Sequence, residues 1–205
     1  MPVKSWKLIC VCLILGGLFS FRYIKKTPGS SLGKSVVNFS IKSTKDYIFN
    51  LSDSGCKGYI VIFTCNHCPF AKLYSARLNT LNAKYKQLGV PLIAINSMDT
   101  ALYDDETFSS MQQKAESEHF SFPYLQDSKQ TVGKLFGAEH TPQAYILWRV
   151  NNTWIIKYSG AIDDNGQHPE LANSFIEKAL DELLQNKPVT NPETESFGCR
   201  IYYRK

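Results

Sequence analysis

The sequence predicts an α/β fold, a central mixed sheet flanked by helices, and three observations carry that prediction. Tyr59-Ile60-Val61-Ile62-Phe63 is an apolar, β-branched run of strand length, and Phe70, Leu73, Tyr74, Leu78, Leu81, Tyr85 and Leu88 then recur at helical spacing. A second apolar run, Pro91-Leu92-Ile93-Ala94-Ile95-Asn96, follows that helix, so strand, helix and strand form a βαβ unit with parallel strands. Asn151-Asn152 lies between residues 144–150 and 153–158 as the two-residue loop of a hairpin, which adds antiparallel strands.

The chain has 205 residues, 43% of them hydrophobic, enough for one domain with an ordinary core. Its net charge of +5 comes without a stripe of Lys and Arg interleaved with aromatics, so no nucleic-acid partner is suggested. Residues 8–21 are uncharged and nearly all apolar, with Lys4 and Lys7 before them and Arg22, Lys25 and Lys26 after. This run is shorter than the ~20 residues that span a bilayer and matches the core of a signal peptide. No Ala-X-Ala-like cleavage site follows, so residues 1–26 are read either as a signal peptide or as an uncleaved membrane anchor. Either way the domain is expected to be exported, periplasmic or held at the outer face of a membrane, where disulfides form and exchange. Cys10 and Cys12 lie inside the run and are set aside as apolar fillers.

Residues 27–35 read as a flexible tether, 36–186 as the folded domain and 187–205 as a tail broken by Pro188 and Pro192. Residues 36–41 and 47–51 are two short strands joined by a polar turn. Gly89 closes the long helix as a cap. Asp104 or Asp105 caps an inserted helix running to about His119, with Phe108, Met111 and Ala115 on one face. Asp127 or Ser128 starts a shorter helix that ends at Gly137. Pro169 opens the last one, with Leu171, Phe175, Ala179, Leu180, Leu183 and Leu184 inward.

The first central strand ends in Thr64-Cys65-Asn66-His67-Cys68-Pro69, which puts two thiols at a strand-to-helix junction. Unpaired N–H groups and the positive end of the helix dipole favour thiolate there, and the thiolate is the attacking species. Two residues between the cysteines let one attack and the other resolve the mixed disulfide. Helix geometry is expected to place Cys65 at the helix N-terminus, exposed, as the nucleophile, and to bury Cys68. His67 is expected to help hold the Cys65 thiolate. A zinc site would need a second ligand pair, and the sequence has neither a second Cys-X-X-Cys nor a matching His pair. The non-enzymatic alternative is copper handling, in which Cys65, Cys68, His67 and His140 converge on Cu(I). No cofactor is expected, and His119 and His168 read as surface residues.

Phe63-Thr64-Cys65-Asn66-His67-Cys68-Pro69-Phe70, Thr141-Pro142 and Tyr158-Ser159-Gly160-Ala161-Ile162-Asp163-Asp164 resemble the thioredoxin-like redoxin family. This is the branch related to the alkyl hydroperoxide reductase and thiol-specific antioxidant proteins. Within it the chain is similar to a peroxiredoxin-like subgroup with a Cys-Asn-His-Cys motif, whose members share the Gly198-Cys199-Arg200-Ile201 ending. The resemblance covers residues 36–186. It implies a thioredoxin fold with an N-terminal β-hairpin and an inserted helix. It also implies thiol–disulfide exchange with protein substrates and an upstream redox partner through Cys65 and Cys68. Further, it implies that Pro142 is cis and faces the cysteines, that Thr141 offers backbone hydrogen bonds to an extended substrate peptide, and that Gly160 lines the substrate groove. Asp163 and Asp164 either favour basic substrates or satisfy their own loop. A His before the second cysteine is shared with DsbA-type oxidases, whereas exported redoxins often reduce their targets, so the direction of electron flow stays open. A thiol peroxidase is the enzymatic alternative. Against it, Ile62 and Gly58 stand where the Pro-X-X-X-Thr/Ser-X-X-Cys approach to Cys65 needs a hydroxyl and a proline.

Cys56 precedes the central strand and Cys65 follows it, so at ~3.3 Å per residue they lie on the order of 20 Å apart, beyond disulfide reach. Cys199 then has three places. It can staple the tail to Cys56, join the Cys-X-X-Cys pair as a third redox thiol, or be buried in a short strand with Phe197, Ile201 and Tyr203. The resemblance of the ending favours the second.

Overall fold

The computed structural model describes residues 30–51 and 55–205, and the leader expected over residues 1–26 lies outside them. Among the described residues no helix is long and apolar enough to cross a membrane. The sheet is built around β4 (Gly58–Phe63), which pairs parallel with β5 (Leu92–Asn96) and antiparallel with β8 (Gln143–Val150). Beyond β5 come β6 (Tyr124–Gln126) and the hairpin of β2 (Ser40–Ser43) and β3 (Ile48–Asn50). Beyond β8 come β9 (Thr153–Gly160) and β1 (Ser35–Val36). Asn151 and Asn152 both take positive φ, +48° and +61°, as the tight turn between β8 and β9 requires.

All six residues of β4 are buried, because helices cover both faces of the sheet, and the strand is therefore apolar throughout rather than alternating. Ile60 and Ile62 pack with Leu78, Leu81 and Tyr85 of α2 (Ser75–Lys86), Met111 of α3 (Phe108–Ser117) and Leu180 of α5 (Phe175–Leu184). Val61 and Phe63 pack on the other side with Ala71 of α1 (Pro69–Lys72) and Val132 and Phe136 of α4 (Thr131–Phe136).

The helix expected as one is thus two. Ala71 belongs to one core and Tyr74 to the other, so the chain breaks after Lys72 to cross from one face to the other. Phe70, Leu73 and Leu88, expected inward, are exposed. Thr107, not Asp104 or Asp105, caps α3, its hydroxyl accepting the Ser110 N–H at 3.2 Å. Asp104–Glu106 is a separate 3-10 turn. Pro169–Leu171 is another such turn, with Leu171 exposed, and α5 starts behind Ser174.

The expected tether joins the sheet edge from Gly33, whose N–H donates to the Ile156 carbonyl at 2.9 Å, before β1 pairs with β9. The tail also lies on the domain. Ser159 exchanges backbone bonds with Pro192 and Thr194, and β10 (Cys199–Arg200) pairs antiparallel with β7 (His140–Thr141).

Candidate active site

The site forms where β4 and β5 end. Thr64 still bonds the Ile95 carbonyl at 2.9 Å, and the chain then leaves the sheet through Cys65-Asn66-His67-Cys68. Cys68 is the N-cap of α1, with Pro69 opening the helix where its missing N–H costs nothing. The Thr141–Pro142 peptide is cis, in agreement with the expectation, and Thr141 is fully buried beside both sulfurs. Its hydroxyl lies 3.1 Å from Cys65 Sγ, and its carbonyl accepts from Cys68 Sγ at 3.1 Å. All four described cysteines carry free thiols. The expectation of an exposed Cys65 at the helix end is overturned. Both sulfurs have 0% exposure, and it is Cys68 that stands at the helix N-terminus.

Glu106 is the reason the loop stays open up to Cys68. This carboxylate, 1% exposed, accepts the backbone N–H groups of Asn66 and His67, each at 2.9 Å, and His67 Nδ1 at 2.6 Å. Asn96 Nδ2 donates to its second oxygen. The His67 ring stacks on Tyr103 at 4.2 Å, and the Asn66 side chain bonds the Asp105 carbonyl and the Tyr124 hydroxyl. The two N–H groups between the cysteines, those of Asn66 and His67, are therefore aimed at one buried charge. Sequence reasoning missed Glu106. It sits in the run Asp104-Asp105-Glu106, which reads as a solvated cap, and nothing local marks its third carboxylate as buried.

The electrostatics separate the two thiols. The Cys68 thiol is pushed down to about 4, first by the hydrogen bond from Cys65, then by Cys199 and the backbone N–H of Ala71, against a burial cost. Cys65 is pushed up by that same bond to Cys68, by burial and by the charge of Glu106. Cys199 is pushed up to about 12 by burial and by its hydrogen bond to Cys68. The Thr141 carbonyl favours protonated Cys68, and ionisation trades that contact for the N–H and S–H donors around it. The surroundings thus push Cys68 down and Cys65 up, the opposite of the direction expected for Cys65.

Cys199 lies at the top of the sheet against Cys68, away from Cys56, because β10 pairs Cys199 with Thr141. Gly160 does not line an open groove. A Cβ there would stand 2.2 Å from Thr194 Oγ1, since the tail covers it. The His140 ring faces Ser196 at 3.3 Å, and the donors that gather are Cys65, His67 and Glu106, within 4.8 Å of one another, rather than the expected copper set. Asp163 accepts from the Tyr74 hydroxyl at 2.8 Å and pairs with Arg77, while Asp164 accepts the Asn173 N–H, so both satisfy their own loop. Ile62 is buried toward α2, and β4 offers no hydroxyl to the sulfurs.

The AhpC/TSA family matches residues 32–165, well over half of the chain. The thiol-disulfide oxidoreductase ResA of Bacillus cereus is 24% identical over 143 residues, 68% of this chain and 79% of that protein. The crystal structure of an uncharacterized conserved protein from Geobacillus kaustophilus superposes with a TM-score of 0.77 at 32% identity, covering 84% of this chain and 92% of that one. A hypothetical protein from Sinorhizobium meliloti 1021 superposes with a TM-score of 0.75 at 28% identity, covering 84% and 94%. With its sheet order, its cis-proline beside a Cys-X-X-Cys and this match along the domain, the chain belongs to the AhpC/TSA family, on the thioredoxin fold.

Proposed function

We propose that this thiol-disulfide oxidoreductase exchanges disulfides with protein substrates through Cys65 and Cys68, in the extracytoplasmic compartment to which the leader of residues 1–26 would export it. The observation that carries the reading is the buried thiol pair with both sulfurs against Thr141, beside the cis Pro142, and Cys68 at a helix N-terminus. The Cys68 thiolate attacks a client disulfide. The client S–S bond breaks, its leaving sulfur takes a proton, and a mixed disulfide forms on Cys68. Cys65 then attacks Cys68 Sγ and closes the Cys65–Cys68 disulfide, and the second client sulfur leaves with the proton Cys65 gives up. Two electrons and two protons pass to the client, and an upstream partner of the same chemistry restores the dithiol. The reverse sequence oxidises a client dithiol. His67, with a ring nitrogen within 4.8 Å of Cys65 Sγ, favours the Cys65 thiolate at the second step when it is cationic.

Cys199 is the third thiol of this site. It attacks Cys68 Sγ in the Cys65–Cys68 disulfide, forming a Cys68–Cys199 bond and releasing Cys65, to which the proton of Cys199 passes.

The test is trapping. Cys65→Ser should accumulate mixed disulfides on Cys68, seen on non-reducing gels and placed by mass spectrometry. Trapping by Cys68→Ser alone would return the attack to Cys65, and trapping by neither variant would sink the exchange reading. The peroxidase alternative draws on one contact, the Thr141 hydroxyl on Cys65. Turnover of hydrogen peroxide by the reduced chain would favour it.

A further inference from the structure

The two positions expected to receive a substrate peptide, Thr141 and Gly160, are both occupied by the chain's own residues 192–200. At Gly160, the Thr194 hydroxyl accepts the Ala161 N–H at 3.0 Å and meets the Tyr158 hydroxyl at 2.6 Å, while Thr194 and Pro192 bond the backbone of Ser159. At Thr141, β10 runs antiparallel, with Cys199 opposite Thr141 and Arg200 opposite His140. The approach is too close for a side chain. Gly198 has φ +142°, and a Cβ on it would stand 2.1 Å from the Thr141 carbonyl oxygen. Phe197, just before it, meets Phe70 edge-on at 6.0 Å, and both rings are partly exposed at the rim. Beyond the site the Ile201 N–H bonds the Glu139 carbonyl at 2.8 Å, and Ile201 and the Tyr203 hydroxyl anchor the segment on the α4 side.

We propose that residues 192–200 are a tethered stand-in for the client, and that a client is an extended strand that displaces them. Such a strand sets a cysteine at the place of Cys199 and an apolar or aromatic side chain on Phe70, the position of Phe197 two residues earlier. An added strand bonds through its main chain and is selected by its alternate side chains, and the tail presents Phe197 and Cys199 two residues apart with Cys199 in the pairing. The inference rests on the exchange reading above for what the client does, and on the pairing alone for where it docks. A short tether holds its own strand at an effective concentration on the order of millimolar, so a client at micromolar concentration meets roughly a thousandfold handicap. Clients that also bind the rim, or a tail loosened at Thr194, overcome it. The strap thus explains how two reactive thiols can be fully buried in an enzyme of protein thiols.

The experiment uses the full chain. Alkylation of reduced Cys68 by iodoacetamide, followed by mass spectrometry, should be slow in the native chain. It should rise by roughly tenfold in Gly198→Ala, whose Cβ cannot stay beside the Thr141 carbonyl. Ile201→Ala loosens the strap from its anchored end and should act in the same direction. Unchanged rates at Cys68 in both variants overturn the proposal, as does an equal rise at Cys56, which would mean general unfolding. In a second arm, Cys65→Ser is loaded with a cysteine peptide as a mixed disulfide, and hydrogen exchange is followed over residues 199–201. Loss of protection supports displacement. Retained protection with the peptide attached overturns it. Failure of both Cys65→Ser and Cys68→Ser to form any mixed disulfide, beside faster alkylation in Gly198→Ala, would sink the exchange reading while upholding the strap as the cover of Cys68.

Discussion

At the scale of single residues, one carboxylate and one thiolate oppose each other across the loop. Glu106 collects donors from Asn66, His67 and Asn96, and its charge raises the thiol of Cys65. Glu106→Gln keeps the shape but turns an amide N–H₂ toward donors that need an acceptor. It should cost about 1–3 kcal/mol in urea unfolding and lower the Cys65 thiol in an ultraviolet thiolate titration. An unchanged titration would mean the carboxylate only packs. Cys68, held at about 4 against an ordinary 9.0, is thiolate in the folded reduced chain and thiol in the unfolded chain between those values. The folded state binds fewer protons there, so this contribution to stability is complete above the unfolded pKa and is lost as pH falls toward about 4. Cys65, shifted upward, opposes it only above the ordinary thiol range. Urea midpoints of the reduced protein should therefore climb between about pH 5 and 8, and the climb should flatten in Cys68→Ala.

At the scale of elements, the tail is held by close backbone approaches rather than by a large apolar face. Gly160 at φ +152° and Gly198 at φ +142° are the two points where it touches the domain most tightly. Gly160→Ala would drive a Cβ into Thr194 and strain a conformation that side chains rarely adopt, at a cost of about 1–3 kcal/mol in equilibrium unfolding. A Gly160→Ala chain as stable as the native one would show that the tail at 192–194 contributes little. The break between α1 and α2 belongs to the same scale. It lets Ala71 stay under the cysteines while Tyr74 turns to the opposite core, where its hydroxyl fixes Asp163 at the start of the loop before α5.

For the whole molecule, the consequence is a redox poise. The downward push on the Cys68 thiol, first by its hydrogen bond from Cys65, stabilises the dithiol state, while the upward push on Cys65 acts above the ordinary thiol range. A stabilised dithiol makes the disulfide the stronger oxidant, the relation that separates DsbA from thioredoxin. The Cys65–Cys68 couple should therefore equilibrate with glutathione at a potential above ~−270 mV. A value at or below that would show that the oxidised form has compensating contacts and that the chain works as a reductant.

The sequence by itself determined the βαβ core, the hairpin at Asn151-Asn152 and the Cys-X-X-Cys at the end of a buried strand. These follow from neighbours in the chain: apolar periodicity, paired asparagines at a turn and the step from strand to helix. What the tertiary structure decided is what surrounds the two thiols, a buried carboxylate beside the loop and the chain's own tail against Thr141. Glu106 meets His67 across 39 residues, Thr141 meets Cys199 across 58, and Thr194 meets Ala161 across 33. A helix read as continuous places Cys65 at its start. Only the buried carboxylate holds the loop open and moves that start to Cys68. The tail is broken by prolines, and its hold on the domain comes in part from two glycines without side chains and from backbone pairing, neither of which leaves a periodic mark in the sequence.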